Sequence, residues 1–315
     1  MRNLTVLFVA ALAASALSCN RSAPESTSRP KVALVLKTLN HPFFVDMRRG
    51  AQEAADRLGV QLEVQAAERE IDVEKQMQIV ENMLQTGIAA LAIAPSGSRE
   101  IVSALVKARD ANIPVIIVDT RVDEKAAAAA GVHPETFVGS DNYEGGKLAG
   151  GHVVTVTAGK ARVGILEGIP GHDTGDSRLR GFRDAVKDVP GITIVASQPA
   201  NWERDQGFNV FQNMLQAHPD IDTVFAASDL MALGAIEAIA AAGKTGKIRV
   251  VGFDALDDAK KAIAAGTMDA SVAQFPAEMG KVAIESAVKV LRGEKLPPSI
   301  MVRLEMVTKV TLSRP

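Results

Sequence analysis

Residues 31–59 read KVALVLKTLNHPFFVDMRRGAQEAADRLG. Val32–Leu36 is an unbroken apolar run too short for a helix, and continuous apolar strands are typical of parallel sheets buried on both faces. Polar residues follow at once: Lys37, Thr38, Asn40 and His41. In Phe44–Leu58, the apolar Met47, Ala51, Ala54, Ala55 and Leu58 fall on one helical face, and Gly59 supplies the stop. A buried strand, a polar loop and an amphipathic helix form the first half of a βαβ unit.

The same unit recurs outward from this stretch. Further strands are expected at Leu62–Ala66, Ala90–Ala94, Val115–Asp119 and Phe137–Gly139, then at Val163–Leu166, Ile192–Ser197, Thr223–Ala227, Val250–Asp254, Ala270–Gln274 and Val307–Leu312. Asp72–Thr86 repeats the helix design with Val73, Met77, Val80 and Leu84 before Gly87, and Ser98–Ala111 does so with Ile101, Leu105 and Ala108. Strand and helix in alternation give an α/β, doubly wound parallel sheet. There are too many strands for one sheet, and a second series restarts near Ala161. The chain therefore reads as two doubly wound parallel-sheet lobes, joined near Gly139–Asn142 and again near Gln274–Pro276. Ligands of such sheets bind at the carboxyl ends of the strands, so two facing lobes make a hinged interlobe cleft.

A length of 315 residues suits two such lobes, and a hydrophobic share of 47% is enough for their cores. A formal net charge of -2 argues against a nucleic-acid partner, which needs clustered Lys and Arg. The single cysteine, Cys19, excludes an internal disulfide and a cysteine-based zinc site. It closes the opening MRNLTVLFVAALAASALSC, in which Arg2 precedes an apolar stretch from Leu4 to about Leu17 and small residues precede Cys19. That is the layout of a secretory signal peptide, residues 1–18. Ala16–Leu17–Ser18–Cys19 resembles the bacterial lipobox, which implies lipidation of Cys19 and a membrane anchor; an ordinary signal cut near Ala11–Ala13 or Leu17–Ser18 is the other reading. Residues 19–30 continue as a polar, Pro- and Ser-containing flexible tether.

Polar and aromatic residues gather just past the strands. The first lobe offers Lys37, His41, Phe43 and Phe44, then Ser96, then Asp119–Thr120–Arg121. The second offers Glu167, a loop with His172, Asp173, Asp176 and Arg178, then Asn201–Trp202, Ser228–Asp229, Phe253–Asp254 and Gln274. Carboxylates, amides and an arginine fork match hydroxyl groups, and aromatic faces cover the C–H patches of a sugar ring. Each has a second reading. Ser98 and Asp229 are also candidate helix N-caps. Phe43 or Phe44 suits a core, Lys37 a solvated charge, Asp119 and Asp254 structural caps, and Arg121 a surface partner of Asp123. His41 and His172 read as polar loop residues and not as metal ligands.

These residues carry a family resemblance. Val35–Met47 resembles the opening of the ribose- and allose-binding proteins. So do Gly139–Asn142 with Gly145–Lys147, Ala196–Ala200, Ala217–Asp220, Met231–Ala235 and Val250–Asp254. The likeness runs through nearly all of residues 31–312. It implies the periplasmic-binding-protein fold with three crossovers, an N-terminal lobe of 31–139 plus 275–303 and a C-terminal lobe of 140–274 plus 304–315. It implies the substrate-binding component of a carbohydrate ABC importer, with no cofactor and no metal, acting as a monomer in the periplasm or at the outer face of the cytoplasmic membrane and delivering a monosaccharide to permease subunits. Carried over position by position, the ligand-binding residues are Lys37, His41, Phe43, Phe44, Asp119, Arg178, Trp202, Ser228, Asp254 and Gln274. The ribose-binding pattern has Ser where Lys37 stands and Asn where His41, Ala94 and Ser228 stand, and Asp-Arg in place of Asp119–Thr120. The loop Gly171–Arg178 and the segment Lys125–Glu135 look more like the allose-binding proteins, so a hexose such as allose, or a related sugar or polyol, is expected.

Three rivals are weighed. An enzyme is disfavoured because no G-x-S-x-G, P-loop, G-x-G-x-x-G or H-E-x-x-H occurs. A transcription regulator of the lactose-repressor type shares the fold, but a signal and tether stand where its helix-turn-helix would be. A sugar-sensing receptor feeding a chemoreceptor or sensor kinase differs only in its partner.

Overall fold

The computed structural model describes residues 29–313. The expected signal peptide, Cys19 and most of the tether lie outside them. Two six-stranded sheets carry the molecule. The first contains β1 (Lys31–Thr38), β2 (Gln61–Ala67), β3 (Ala90–Ile93), β4 (Val115–Val118) and β5 (Thr136–Gly139). The second contains β6 (Ala161–Glu167), β7 (Ile192–Pro199), β8 (Thr223–Ala226), β9 (Arg249–Asp254) and β10 (Ala270–Ala273). Each set of five is ordered second-first-third-fourth-fifth, all parallel, so each sheet has a switch point beside its first strand. β11 (Ser299–Met301) then joins the first sheet beside β5, and β12 (Glu305–Thr308) joins the second antiparallel to β10. The chain thus passes between the sheets three times: after β5, after β10, and between β11 and β12.

The helices are α1 (Pro42–Leu58), α2 (Val73–Leu84), α3 (Val102–Asp110), α4 (Glu124–Ala129), α5 (Asn142–Val156) and α6 (Asp173–Val186). They continue with α7 (Arg204–Ala217), α8 (Asp229–Ala241), α9 (Asp257–Ala265), α10 (Pro276–Leu291) and a last turn, α11 (Lys309–Leu312). α1 begins with Pro42, whose missing N–H costs nothing there, and ends on Gly59 in the left-handed region at φ 70°. Its stripe of Phe43, Phe44, Met47, Ala51, Ala54 and Ala55 packs with Leu34, Ala92 and Ile116 of the sheet and Met279 and Ala283 of α10. Gly50 and Gly280 let α1 and α10 approach closely: a Cβ on either would overlap a backbone carbonyl of the other helix, that of Ala277 or Met47. Gly146 and Gly181 do the same for α5 and α6, against the carbonyls of Arg178 and Tyr143. At the first switch point, the buried Gln76 donates to the carbonyls of Leu36 and Ala94 at 3.2 and 2.8 Å and accepts from the Ser96 N–H at 2.8 Å.

Three expectations need correction. Val307–Leu312 is not one strand. β12 stops at Thr308, where a reciprocal Thr308–Thr311 capping box turns the chain into α11. Ser98 does not cap α3, whose cap position is Ile101. Asp229 does not cap α8 either. Ser228 holds that position, and Asp229 accepts from the Leu256 N–H and the Ser271 hydroxyl, both at 2.7 Å.

Candidate functional site

Between the two sheets, at the carboxyl ends of their strands, lies a cavity. Lys37, His41, Phe43, Phe44, Asp119, Arg178, Trp202, Ser228, Asp254 and Gln274 all line it, so the structure brings the ten predicted residues together. Glu70 and Thr174 line it as well. Glu70 lies just past β2, in the stretch Glu68–Arg69–Glu70, which reads as a solvated charge run. Position past a strand end, the rule that found the others, was the signal for it. Thr174 sits in the stretch Gly171–Arg178 already singled out, one residue beyond Asp173; from Asp173 on, that stretch is the start of α6 and not a loop. Every lining residue is buried, from 2% exposed for Lys37 to 8% for Glu70.

Local backbone geometry aims several of these side chains. Asp119, Trp202 and Asp254 adopt positive φ values of 63°, 68° and 106°, conformations unusual for residues with a side chain and concentrated at functional sites. For Asp119 and Asp254 the turn comes where the apolar strand ends, which swings the carboxylate into the cavity. His41 precedes α1 as its N-cap, and its Nδ1 accepts from the Phe43 N–H at 3.1 Å. That bond requires an unprotonated Nδ1 and leaves Nε2 as the donor of the neutral ring. Phe43 and Phe44 serve both of their readings: they belong to the first core cluster and show one face to the cavity.

The charges form two groups. In the first lobe, the Lys37 ammonium lies 3.2 Å from Asp119 Oδ2 and 3.6 Å from Glu70 Oε2, so it is no solvated charge. Thr120 donates its hydroxyl to the same Asp119 oxygen at 2.9 Å. In the second lobe, Arg178 donates to Asn142 Oδ1 at 2.8 Å and to the Ala227 carbonyl at 2.7 Å, and lies 3.6 Å from Asp254 Oδ1. Its guanidinium stacks 3.8 Å over the Phe253 ring. Gln274 donates to Asp254 Oδ1 at 2.8 Å. Burial pushes the Glu70 and Asp254 carboxyls up, against the pull of Lys37 on the first and of Arg178 on the second. Burial likewise lowers His41 and Arg178 from their ordinary values.

Four buried lining atoms have no hydrogen-bond partner among the described residues: Thr174 Oγ1, Trp202 Nε1, Ser228 Oγ and Gln274 Oε1. Buried polar atoms are nearly always paired, and each unpaired one costs about 1–3 kcal/mol. Such a cavity is matched to a small polar molecule with several hydroxyls. Among the described residues there is no cluster of His, Cys, Asp and Glu suited to a metal ion, and no helix long and apolar enough to cross a membrane.

Other residues flagged in the sequence lie outside the cavity lining. Thr38 and Asn40 both bond the Glu68 carbonyl, at 2.6 and 3.0 Å. Arg121 stacks 3.9 Å over Phe137, in place of a pairing with Asp123, which caps α4. Glu167 accepts from Ser197. His172 is buried at the cap position of α6 with no side-chain cap bond.

Comparison with known proteins agrees with this geometry. A family model described as a periplasmic binding protein domain matches residues 32–295. The ribose import binding protein of Escherichia coli (strain K12) is 38% identical over 309 residues, 98% of this chain and 99% of that protein. The D-allose-binding periplasmic protein of the same strain is 36% identical over 267 residues, 84% of this chain and 86% of that protein. Among solved structures, an ABC transporter periplasmic solute binding protein from Actinobacillus succinogenes 130z with bound D-allose superposes with a TM-score of 0.85 at 39% identity, covering 90% of this chain and 99% of that one. With two parallel-sheet lobes around a polar cavity and likeness along nearly its whole length, the chain belongs to the periplasmic sugar-binding proteins, a family of solute receptors and not of enzymes.

Proposed function

We propose that this protein is the substrate-binding component of a carbohydrate ABC importer, capturing one monosaccharide between its lobes and delivering it to the permease. The observation that carries the reading is the set of four unpartnered buried polar atoms in a cavity faced by Phe43, Phe44 and Trp202. In this mechanism the aromatic rings hold the sugar's C–H faces. Lys37, His41, Asp119, Arg178, Ser228, Asp254 and Gln274 exchange hydrogen bonds with its hydroxyls, joined by Thr174. A hexose such as allose, or a related sugar or polyol, is the proposed ligand. Lys37 and the Gly171–Arg178 loop support it, as does the likeness to the allose-bound relative.

The lobes are taken as 31–139 plus 275–303 and 140–274 plus 304–315, with the three passages between the sheets as the hinge. Contacts made to both lobes at once favour the closed form, and that differential affinity drives closure. A lipid on Cys19 holds the monomer at the membrane in this reading. A micromolar affinity corresponds to about 8 kcal/mol, within reach of several hydrogen bonds and ring stacking.

The test is a thermal-shift screen of the protein against pentoses, hexoses, amino sugars and polyols, followed by calorimetry of the best binder. Ligand at 100 times its Kd stabilises by about 2.7 kcal/mol, a clear rise in melting temperature. Asp254→Ala, which strands Arg178 and Gln274, is expected to weaken binding at least about tenfold. Unchanged affinity in that variant rejects the site assignment, and no shift with any carbohydrate rejects the function.

A further inference from the structure

One feature of the cavity is unbalanced, and its meaning rests on the sugar-capturing role just proposed. Lys37 projects from β1 between two carboxylates, 3.2 Å from Asp119 and 3.6 Å from Glu70, with side-chain exposures of 3%, 5% and 10% for the three. A lysine side chain is long and rotationally free, and an ammonium has three donors but no fixed direction. Two carboxylates on separate loops, one past β2 and one past β4, restrict it to a single place at the cavity wall. The Phe44 ring, 5.5 Å from the nitrogen, covers another side. Among the described residues, only one cation sits within ion-pair distance of these two acids. The other charge acting on Glu70 is Arg178 from α6.

We propose that Glu70 is a positioning residue: with Asp119 it clamps the Lys37 ammonium so that its remaining N–H selects a ligand hydroxyl, and closure of the lobes over the sugar takes up a proton at Glu70. In the open form water solvates both acids. In the closed form two buried acids share one lysine, and a protonated Glu70 still accepts from the ammonium through its carbonyl oxygen. Asp119 has the shorter contact to Lys37 and the Thr120 hydroxyl as well, so Glu70 is the group that accepts the proton. Burial pushing the Glu70 carboxyl up has the same sense. Because the closed form binds this proton more tightly, its contribution to affinity is present at low pH and lost as pH rises through the raised Glu70 value. His41 and His172 act oppositely, since burial lowers both, but their effects cancel in a comparison that changes only Glu70.

The test is calorimetry with D-allose, or with D-ribose where D-allose gives no heat, in buffers of different ionisation heat between pH 5.5 and 8. The wild-type protein is expected to take up more protons per sugar than Glu70→Gln, and its affinity relative to that variant is expected to fall as pH rises. Glu70→Ala should weaken binding about tenfold, and should add little once Lys37→Met is present, because the two act as one unit. Equal proton uptake in wild type and Glu70→Gln overturns the proposal while leaving the sugar reading intact, and so does unchanged affinity in a folded Glu70→Ala. No heat with either sugar from folded protein overturns the sugar reading and this proposal with it.

Discussion

His172 is buried beside the cavity with its Nδ1 unpartnered among the described residues. Burial lowers it to about 3, with Lys37 pushing the same way and Asp119 opposing. Between pH 6.5 and about 3 the unfolded chain binds the proton that folded His172 refuses, so its contribution to stability is lost as pH falls through that window. The raised carboxyls Glu70 and Asp254 have the opposite sign, their contribution fading as pH rises. His172→Gln isolates the histidine: its melting temperature should fall less steeply than wild type from pH 6.5 to 3, and parallel curves would contradict the assignment. At this scale much was legible. Asp119, Asp254 and Gln274 were marked by their place at the end of apolar runs, because a polar residue there faces the cleft. Glu70 was not, because its burial comes from residues more than 30 positions away and its neighbours Glu68 and Arg69 are charged.

The helices meet where glycine allows it. A methyl on Gly146 in α5 would press on the carbonyl of Arg178, the residue that carries the cavity's guanidinium, whereas one on Gly280 in α10 would press on Met47 in α1, beneath the sheet. Both Gly146→Ala and Gly280→Ala are expected to destabilise by about 1–3 kcal/mol, as overpacking does. At roughly 2–4 °C per kcal/mol, this is a drop of several degrees in Tm. Only Gly146→Ala should also raise the Kd for sugar, by moving Arg178; equal effects of the two on binding would refute the distinction. Strand and helix placement was legible wherever periodicity ran long, as in α1 and β6. It failed at the end of the chain. There β11 is only three residues long and directly follows Pro297–Pro298, with no pattern to read, and the β-branched Val and Thr residues of Val307–Leu312 mimic a strand until the Thr308–Thr311 cap diverts it.

At the scale of the molecule the lobes touch through more than the cavity. Ser98, from the first lobe, accepts from the Asp173 N–H at the start of α6 in the second, at 3.3 Å. This contact exists only when the lobes are together and involves no lining side chain. Ser98→Ala should therefore weaken sugar binding about two- to fivefold, the worth of one neutral hydrogen bond, without altering which sugars bind. A changed sugar preference would place Ser98 in the site. The two-lobe division was legible because the βα series restarts near Ala161, while the exchange of β11 and β12 came only with the family resemblance, since no pattern in the residues shows where two short segments dock. That exchange also sets the order of assembly. The first sheet waits for β11 and α1 waits for α10, both made after the whole second series, so neither lobe is complete until the last tenth of the chain has emerged. Contacts so far apart in sequence make folding slow. A newly made chain therefore stays incompletely folded until its last strands have emerged.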